Sequence, residues 1–126
     1  MFLGGPFFYN RYKRLLQRTK HVKVWVSLAL FEASVKEYEK ARAVFEEGDK
    51  ELKGVEEQRE DRKILLESYR DFEKAYGGNE KLELVKKRLP RRVKKRREII
   101  LDDGSEGGWE EYWHYIFPDE EVHTYM

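Results

Sequence analysis

The sequence predicts an all-α fold, a right-handed stack of antiparallel helix pairs amounting to about two and a half repeats. Two observations predict it. Val24, Leu28, Phe31 and Val35 fall at steps of four, three and four, which places them on one face of a helix. Trp25, Leu28, Phe31 and Glu32 then return 41 positions later as Leu66, Tyr69, Phe72 and Glu73. Recurrence at about 20 to 50 residues marks stacked helical arrays. Tyr12 matches Phe45 at an offset of 33, and Trp109, Tyr112 and Tyr115 form a shorter echo. Unequal offsets imply loops of unequal length.

Residues 1–8 have no period and carry Gly4, Gly5 and Pro6, so they are expected to be a disordered start. Residues 9–20 read as the orphan second helix of a truncated repeat, with Tyr12, Leu15 and Leu16 left as exposed apolar surface. The unit at 22–57 is complete. Trp25, Val26, Ala29 and Leu30 make its first helix apolar nearly all round, as a helix between two neighbours must be. Its second helix keeps one stripe, Tyr38, Ala41, Phe45, Gly48 and Leu52, and is charged elsewhere. Ser34 and Glu37 have the spacing of a capping box, which puts the turn near Ser34–Lys36; one continuous helix is the competing reading.

The unit at 59–100 follows the charged stretch GVEEQREDRK, which either extends the preceding helix or is a solvated link. Leu65, Tyr69, Phe72 and Tyr76 line one face, Gly77 and Gly78 stop the helix, and Asn79 is placed to cap the next, which carries Leu82, Val85 and Leu89. Pro90 forces a kink or restart, and the basic arm at 86–97 is expected to be solvated helix. Residues 101–118 read as an acidic turn, LDDGSEGG, and a short aromatic helix that caps the array or docks elsewhere. Residues 119–126 read as a frayed tail.

A chain of 126 residues has the length of one domain. Charged residues are 40% of it and nearly cancel, but Lys86–Arg97 is almost wholly basic whereas residues 102–121 contain no Lys or Arg. Cysteine is absent, which excludes disulfides and thiolate metal sites. The apolar opening lacks the positive n-region of a signal peptide, and no run approaches the ~20 residues of a membrane span. A soluble, intracellular protein without membrane contact is expected.

Catalysis has little support. Glu32 and Glu73 occupy the same place in successive repeats rather than one pocket, so a structural bond, Glu32 to Arg42, is favoured over acid/base chemistry. His21, His114 and His123 lack ligand spacing, and Asp102, Asp103 and Glu106 lack the EF-hand pattern. No cofactor, metal or small-molecule ligand is expected. Trp25, Phe31, Tyr69 and Phe72 fit a packing layer between helices better than a ligand cage. The strongest functional candidate is the run Lys86, Lys87, Arg88, Arg91, Arg92, Lys94, Lys95, Arg96 and Arg97, read as a nuclear-import signal or an RNA-phosphate patch, with a merely solvated arm as the alternative. No aromatic residue interrupts it, so RNA contact through phosphates, without base stacking or sequence preference, is expected.

The pattern W-x-x-[YL]-x-x-F-E followed by A-R-x-[VI]-[FY]-E resembles the HAT repeat, the half-a-TPR unit of RNA-processing scaffolds. Here it is Trp25, Leu28, Phe31 and Glu32, then Ala41, Arg42, Val44, Phe45 and Glu46. With LLQRTKHVKVWVS, LLESYRDFE, PRRVKKRRE and DDGSEGGWEEYWHYIFP, residues 11–118 resemble the C-terminal repeats of the crooked neck family. The resemblance implies a nuclear, non-catalytic scaffold of spliceosome assembly and pre-mRNA splicing whose partners are spliceosomal proteins of the nineteen-complex type. It also implies that Leu66, Trp109 and Tyr112 join the repeat-packing residues. The family has many more repeats; here Leu82 and Glu83 stand where Ala41 and Arg42 fall in the first unit, and MFLGGPFFYN matches no family segment. The runner-up readings are a basic RNA-contacting module of another RNA-processing complex and a truncated product without independent function.

Overall fold

The computed structural model describes Arg14 and residues 21–121, and the chain divides into two units, Met1–Leu89 and Pro90–Met126. The expected loose start at 1–8 and the orphan helix at 9–20, Arg14 apart, lie outside the described residues, as do residues 122–126.

The first unit is helical. Helix α1, Val22–Ser34, begins at His21, whose Nδ1 accepts from the Lys23 backbone N–H at 3.2 Å. Helix α2, Tyr38–Leu52, packs against it after a turn of three residues. That turn is not a capping box. The Ser34 hydroxyl donates back to the Phe31 carbonyl, and Glu37 makes no side-chain cap bond. The chain reverses instead through a Schellman motif: Glu37 N–H donates to Glu32 O at 2.8 Å and Lys36 N–H to Ala33 O at 3.0 Å. This puts Lys36 at φ 63°, in the left-handed region.

After Gly54 and a 3₁₀ turn at Glu56–Gln58, helix α3 runs Arg59–Tyr76 and helix α4 Gly78–Lys86. The stretch 54–63 is therefore partly link and partly the first turn of α3. No side chain caps α4, so Asn79 does not have the expected role. Helix α3 packs against α1, α2 and α4. Its buried residues, Arg62, Leu65, Leu66, Tyr69, Phe72 and Glu73, form one stripe at helical spacing.

The core between α2 and α3 is aromatic. Phe45 stacks on Tyr69 with centroids 4.8 Å apart, Tyr38 stacks on Tyr76 at 4.9 Å, and Phe72 lies tilted against Phe45, Tyr38 and Tyr76. Such pairs each contribute about 0.5–1.5 kcal/mol beyond their burial. The rings face one another and leave no cage. Gly48 permits the approach of α1 to α2 and α3, because a Cβ there would lie 3.1 Å from Leu65 and 3.2 Å from Trp25. Three of the four pairs 41 apart are buried at both positions, Trp25 and Leu66, Leu28 and Tyr69, and Glu32 and Glu73, while Phe31 is half-buried where Phe72 is buried.

The second unit overturns the all-α expectation. Strands β1, Arg91–Ile100, and β2, Glu106–Ile116, form an antiparallel two-stranded sheet, followed by the short helix α5, Pro118–Glu121. Among the described residues the fold is five helices and one hairpin, a mixed architecture. The basic arm is a helix end plus a strand, and the expected aromatic capping helix is the other strand. The physical reason is pairing. Between Pro90 and the turn only Val93, Ile99 and Ile100 are apolar, and they are not spaced three or four apart as a helical stripe, whereas Trp, Tyr and Ile in 109–116 suit a pleated surface. Cations of β1 then meet carboxylates of β2 across the strands: Arg97 bonds Glu110, and Lys94 lies 2.9 Å from Glu111.

The tip is built by Leu101–Ser105. Gly104 N–H donates to Leu101 O, Leu101 N–H to Ser105 O, and Gly104 takes φ 88°. The Asp103 carboxylate accepts from the Ser105 hydroxyl and backbone N–H, which holds its pKa below the usual carboxylate value. The register shifts between Glu98 and Ile100, where Gly107 and Gly108 oppose Ile99. Gly108 takes φ 97°, and a Cβ on Gly107 would meet Leu101 at 2.9 Å.

Two outcomes follow for the helical unit. Lys36→Gly removes a left-handed L-residue and is expected to stabilise the chain by about 0.5–1 kcal/mol in urea unfolding, after the glycine's greater unfolded-state freedom is deducted. Glu32 is 4% exposed and its pKa is raised, first by burial. A carboxyl with a raised folded pKa destabilises the fold at neutral pH and ceases to do so below the ordinary carboxylate range, about 4. Glu32→Gln should therefore raise the melting midpoint at pH 7, with the gain fading as pH falls towards about 4 and absent below it; a lowered midpoint at pH 7 contradicts this.

Candidate interaction surface

The residues with chemistry to offer fall in two places, a charged joint inside the helical unit and one face of the hairpin. The joint begins with Arg42 on α2, one turn after Tyr38, where it meets Glu73 on α3. Arg42 Nε donates to Glu73 Oε2 at 2.9 Å and Nη2 donates to Oε1 at 3.0 Å, a fork on a carboxylate that is 2% exposed. The guanidinium also bonds Glu39 and lies 5.4 Å from the Phe72 ring centroid. The bond to Glu73 raises the Arg42 pKa against the opposing effect of burial. Arg42 therefore pairs with Glu73, not with Glu32. Gly77 leaves room for this pair, since a Cβ there would sit 1.9 Å from Glu73 Oε1.

The second half of the joint was not legible from motifs. Arg62 on α3 is buried and donates from Nε to Asp49 Oδ1 of α2 at 2.6 Å. Arg88, just past α4, donates to Glu46 Oε2 at 2.7 Å and Asp49 Oδ2 at 2.8 Å. The Tyr69 hydroxyl donates to Glu46 Oε2 at 2.8 Å. Burial lowers the Arg88 pKa, but the bonds to Glu46 and Asp49 outweigh it and the net shift is upward. Burial first, then Glu46, pushes the Tyr69 phenol well above its ordinary value. The only sequence signal for this cluster was a cation, Arg62, at an apolar position of the α3 stripe.

The repeat-packing candidates divide accordingly. Trp25, Leu28, Glu32, Ala41, Phe45, Leu66, Tyr69, Phe72 and Glu73 are buried, and Phe31 and Arg42 are partly so. Trp109 and Tyr112 are on strand β2 rather than on a helix, and Trp109 is 62% exposed. The nine basic candidates also divide. Lys86 faces Glu83 at 3.5 Å, Arg88 is in the joint, and Lys87 is exposed at the end of α4. On β1, Arg91 bonds Glu121 at 2.7 Å, while Lys94 and Arg97 meet Glu111 and Glu110.

The pleat sorts what remains. Register pairs Arg92 with Tyr115, Lys94 with Trp113, Arg96 with Glu111 and Glu98 with Trp109, so these side chains share one face. Lys95 and Tyr112 are on the other. Arg92 lies over the Trp113 ring at 4.1 Å, Lys94 over the same ring at 5.6 Å, and Arg96 over Trp109 at 5.6 Å. The expectation that no ring accompanies the basic run is thus reversed by strand pairing. Among the described residues, no cluster of His, Cys, Asp and Glu could hold a metal, and no helix is long and apolar enough to cross a membrane.

No family model matches the sequence. Known proteins do. The chain is 52% identical to Crooked neck-like protein 1 of Homo sapiens over 114 residues, 88% of this chain and 13% of that protein. It is 40% identical to Protein crooked neck of Drosophila melanogaster over 119 residues, 86% of this chain and 17% of that one. It is also 40% identical to Pre-mRNA-splicing factor clf1 of Aspergillus fumigatus over 129 residues, covering 87% and 18%. The chain spans less than a fifth of the length of these relatives. Over the residues they share, the chain belongs to the crooked neck family of proteins.

Proposed function

We propose that this chain is a non-catalytic HAT-repeat segment that serves pre-mRNA splicing in the nucleus by holding spliceosomal proteins of the nineteen-complex type. The observation that carries the reading is identity of 52% over 88% of the chain to a crooked neck protein, with other relatives named pre-mRNA-splicing factors. The helical unit supports it. Residues 22–57 and 59–89 form two helix pairs in which three of the four positions that recur 41 apart are buried in both, Phe31 being half-buried where Phe72 is buried. HAT repeats built this way act through surface: the charged joint keeps α2 and α3 in one register, and their outer faces remain polar.

The mechanism is geometric. A rigid pair of helical hairpins presents residues at fixed spacing, and affinity arises from a few apolar anchors with complementary charge around them. Leu30 and Leu84, 50% and 59% exposed, are two such anchors on α1 and α4. The tagged chain, added to nuclear extract, should recover splicing proteins, and Leu30→Asp should lower that recovery severalfold without changing its circular dichroism. Recovery of no splicing component by the folded chain contradicts the scaffold reading and leaves a truncated product.

A further inference from the structure

We propose that the face of the hairpin carrying Trp109 and Trp113 is a binding platform for single-stranded RNA, with the tryptophans stacking bases and Arg92 and Arg96 taking phosphates. The inference stands on the second unit alone and does not require the scaffold role.

Four observations converge on it. Trp109 and Trp113 are 62% and 48% exposed, an unusual placement for the two largest apolar side chains of the unit. They are four residues apart on one strand, hence on one face and about 13 Å apart at ~3.3 Å per residue, so each can take its own base. The cations beside them are of two kinds. Lys94, like Arg91 and Arg97 of the opposite face, is neutralised by a carboxylate. Arg92 and Arg96 instead lie over the tryptophan rings, and among the described residues neither forms a salt bridge with a carboxylate. A guanidinium on a ring keeps its donor edges outward, where they fit a planar carboxylate or a phosphate. Beside two stacking rings, the phosphates of a nucleic-acid strand meet both requirements.

The same face argues for RNA over a protein partner. From Arg92 to Glu98 and from Trp109 to Tyr115 it has no aliphatic side chain. A protein anchor needs an apolar pocket to fill, whereas flat rings alternating with planar cations match a chain of bases and phosphates. Charge is also sorted along the hairpin. Residues 91–97 and 110–116 carry six Lys or Arg against two Glu, while the tip has Asp102, Asp103 and Glu106. Glu98 and the acidic tip bound the face on the Trp109 side, so a polyanion extends from Trp109 towards Arg92.

The test is fluorescence anisotropy of a labelled short oligouridylate with the full chain. Binding should weaken steeply with salt, and a duplex RNA of equal length should compete poorly. Trp109→Ala and Trp113→Ala should each weaken binding about tenfold, as expected for the loss of one stacked base. Arg92→Gln and Arg96→Gln should weaken it and flatten the salt dependence, whereas Lys95→Gln on the opposite face should leave it within about twofold. Trp113→Phe, which preserves a ring on the strand, should restore most of what Trp113→Ala loses and so separates stacking from unfolding of the hairpin. Binding that is indifferent to both tryptophans, or that heparin displaces as well as single-stranded RNA does, overturns the proposal. So does absence of RNA binding, including the case in which a protein is captured through these tryptophans instead.

Discussion

Two buried ion pairs of opposite polarity bind α2 to α3, and the rest of the helical unit is arranged around them. Arg42 of α2 reaches Glu73 of α3, and Arg62 of α3 reaches Asp49 of α2. Removing four charges from water is costly, and in stability alone the pairs gain little over apolar side chains of the same size. What they supply is register. An apolar stripe tolerates sliding by a turn, because one large ring can replace another. Two reciprocal guanidinium–carboxylate contacts do not, since a slip strands buried charge. With the register fixed, Phe45 meets Tyr69 and Tyr38 meets Tyr76. Arg88 then closes the joint by binding Glu46 and Asp49 together.

The same logic explains the glycines and Glu32. Gly77 stands where any side chain would displace the Glu73 carboxylate, so its value is space rather than an unusual backbone angle. Glu32 holds on α1 the position that Glu73 holds on α3, yet among the described residues no guanidinium reaches it, and burial raises its pKa. Among the described residues, one carboxylate is answered by an arginine and the other is not.

Much of the helical unit was legible because its signal is local. Helical spacing marks most of the stripes buried on α2 and α3, but on α1 it picks the wrong face: Leu28 is buried while Val35 is 41% exposed, and the buried side runs through Val22, Trp25, Ala29 and Glu32. Tyr76, 51% exposed, likewise falls outside the α3 stripe. Glu73 stood out because its place repeats that of Glu32. Its arginine was misassigned, since spacing along the chain cannot say which neighbouring helix a side chain faces. Arg62, Asp49 and Arg88 were hidden for the same reason: their partners are 13 and 39 residues away. The hairpin was missed because Trp109, Tyr112, Trp113 and Ile116 satisfy a helical period as well as a strand. The turn residues Asp102–Ser105 between two stretches of nearly equal length were the better sign, and they outweigh periodicity when one arm carries no apolar stripe. The exposed tryptophan face then follows from pairing, which no reading of either strand alone contains.

If the reciprocal pairs set the register, then Arg42 and Glu73 must be energetically one unit. A double-mutant cycle by urea unfolding measures this directly. Arg42→Met and Glu73→Gln are each expected to cost about 3 kcal/mol, because each leaves a buried polar or charged group without its partner, and the double variant should cost no more than either alone. Losses that simply add would show that the two side chains act independently, and the account of the joint would be wrong.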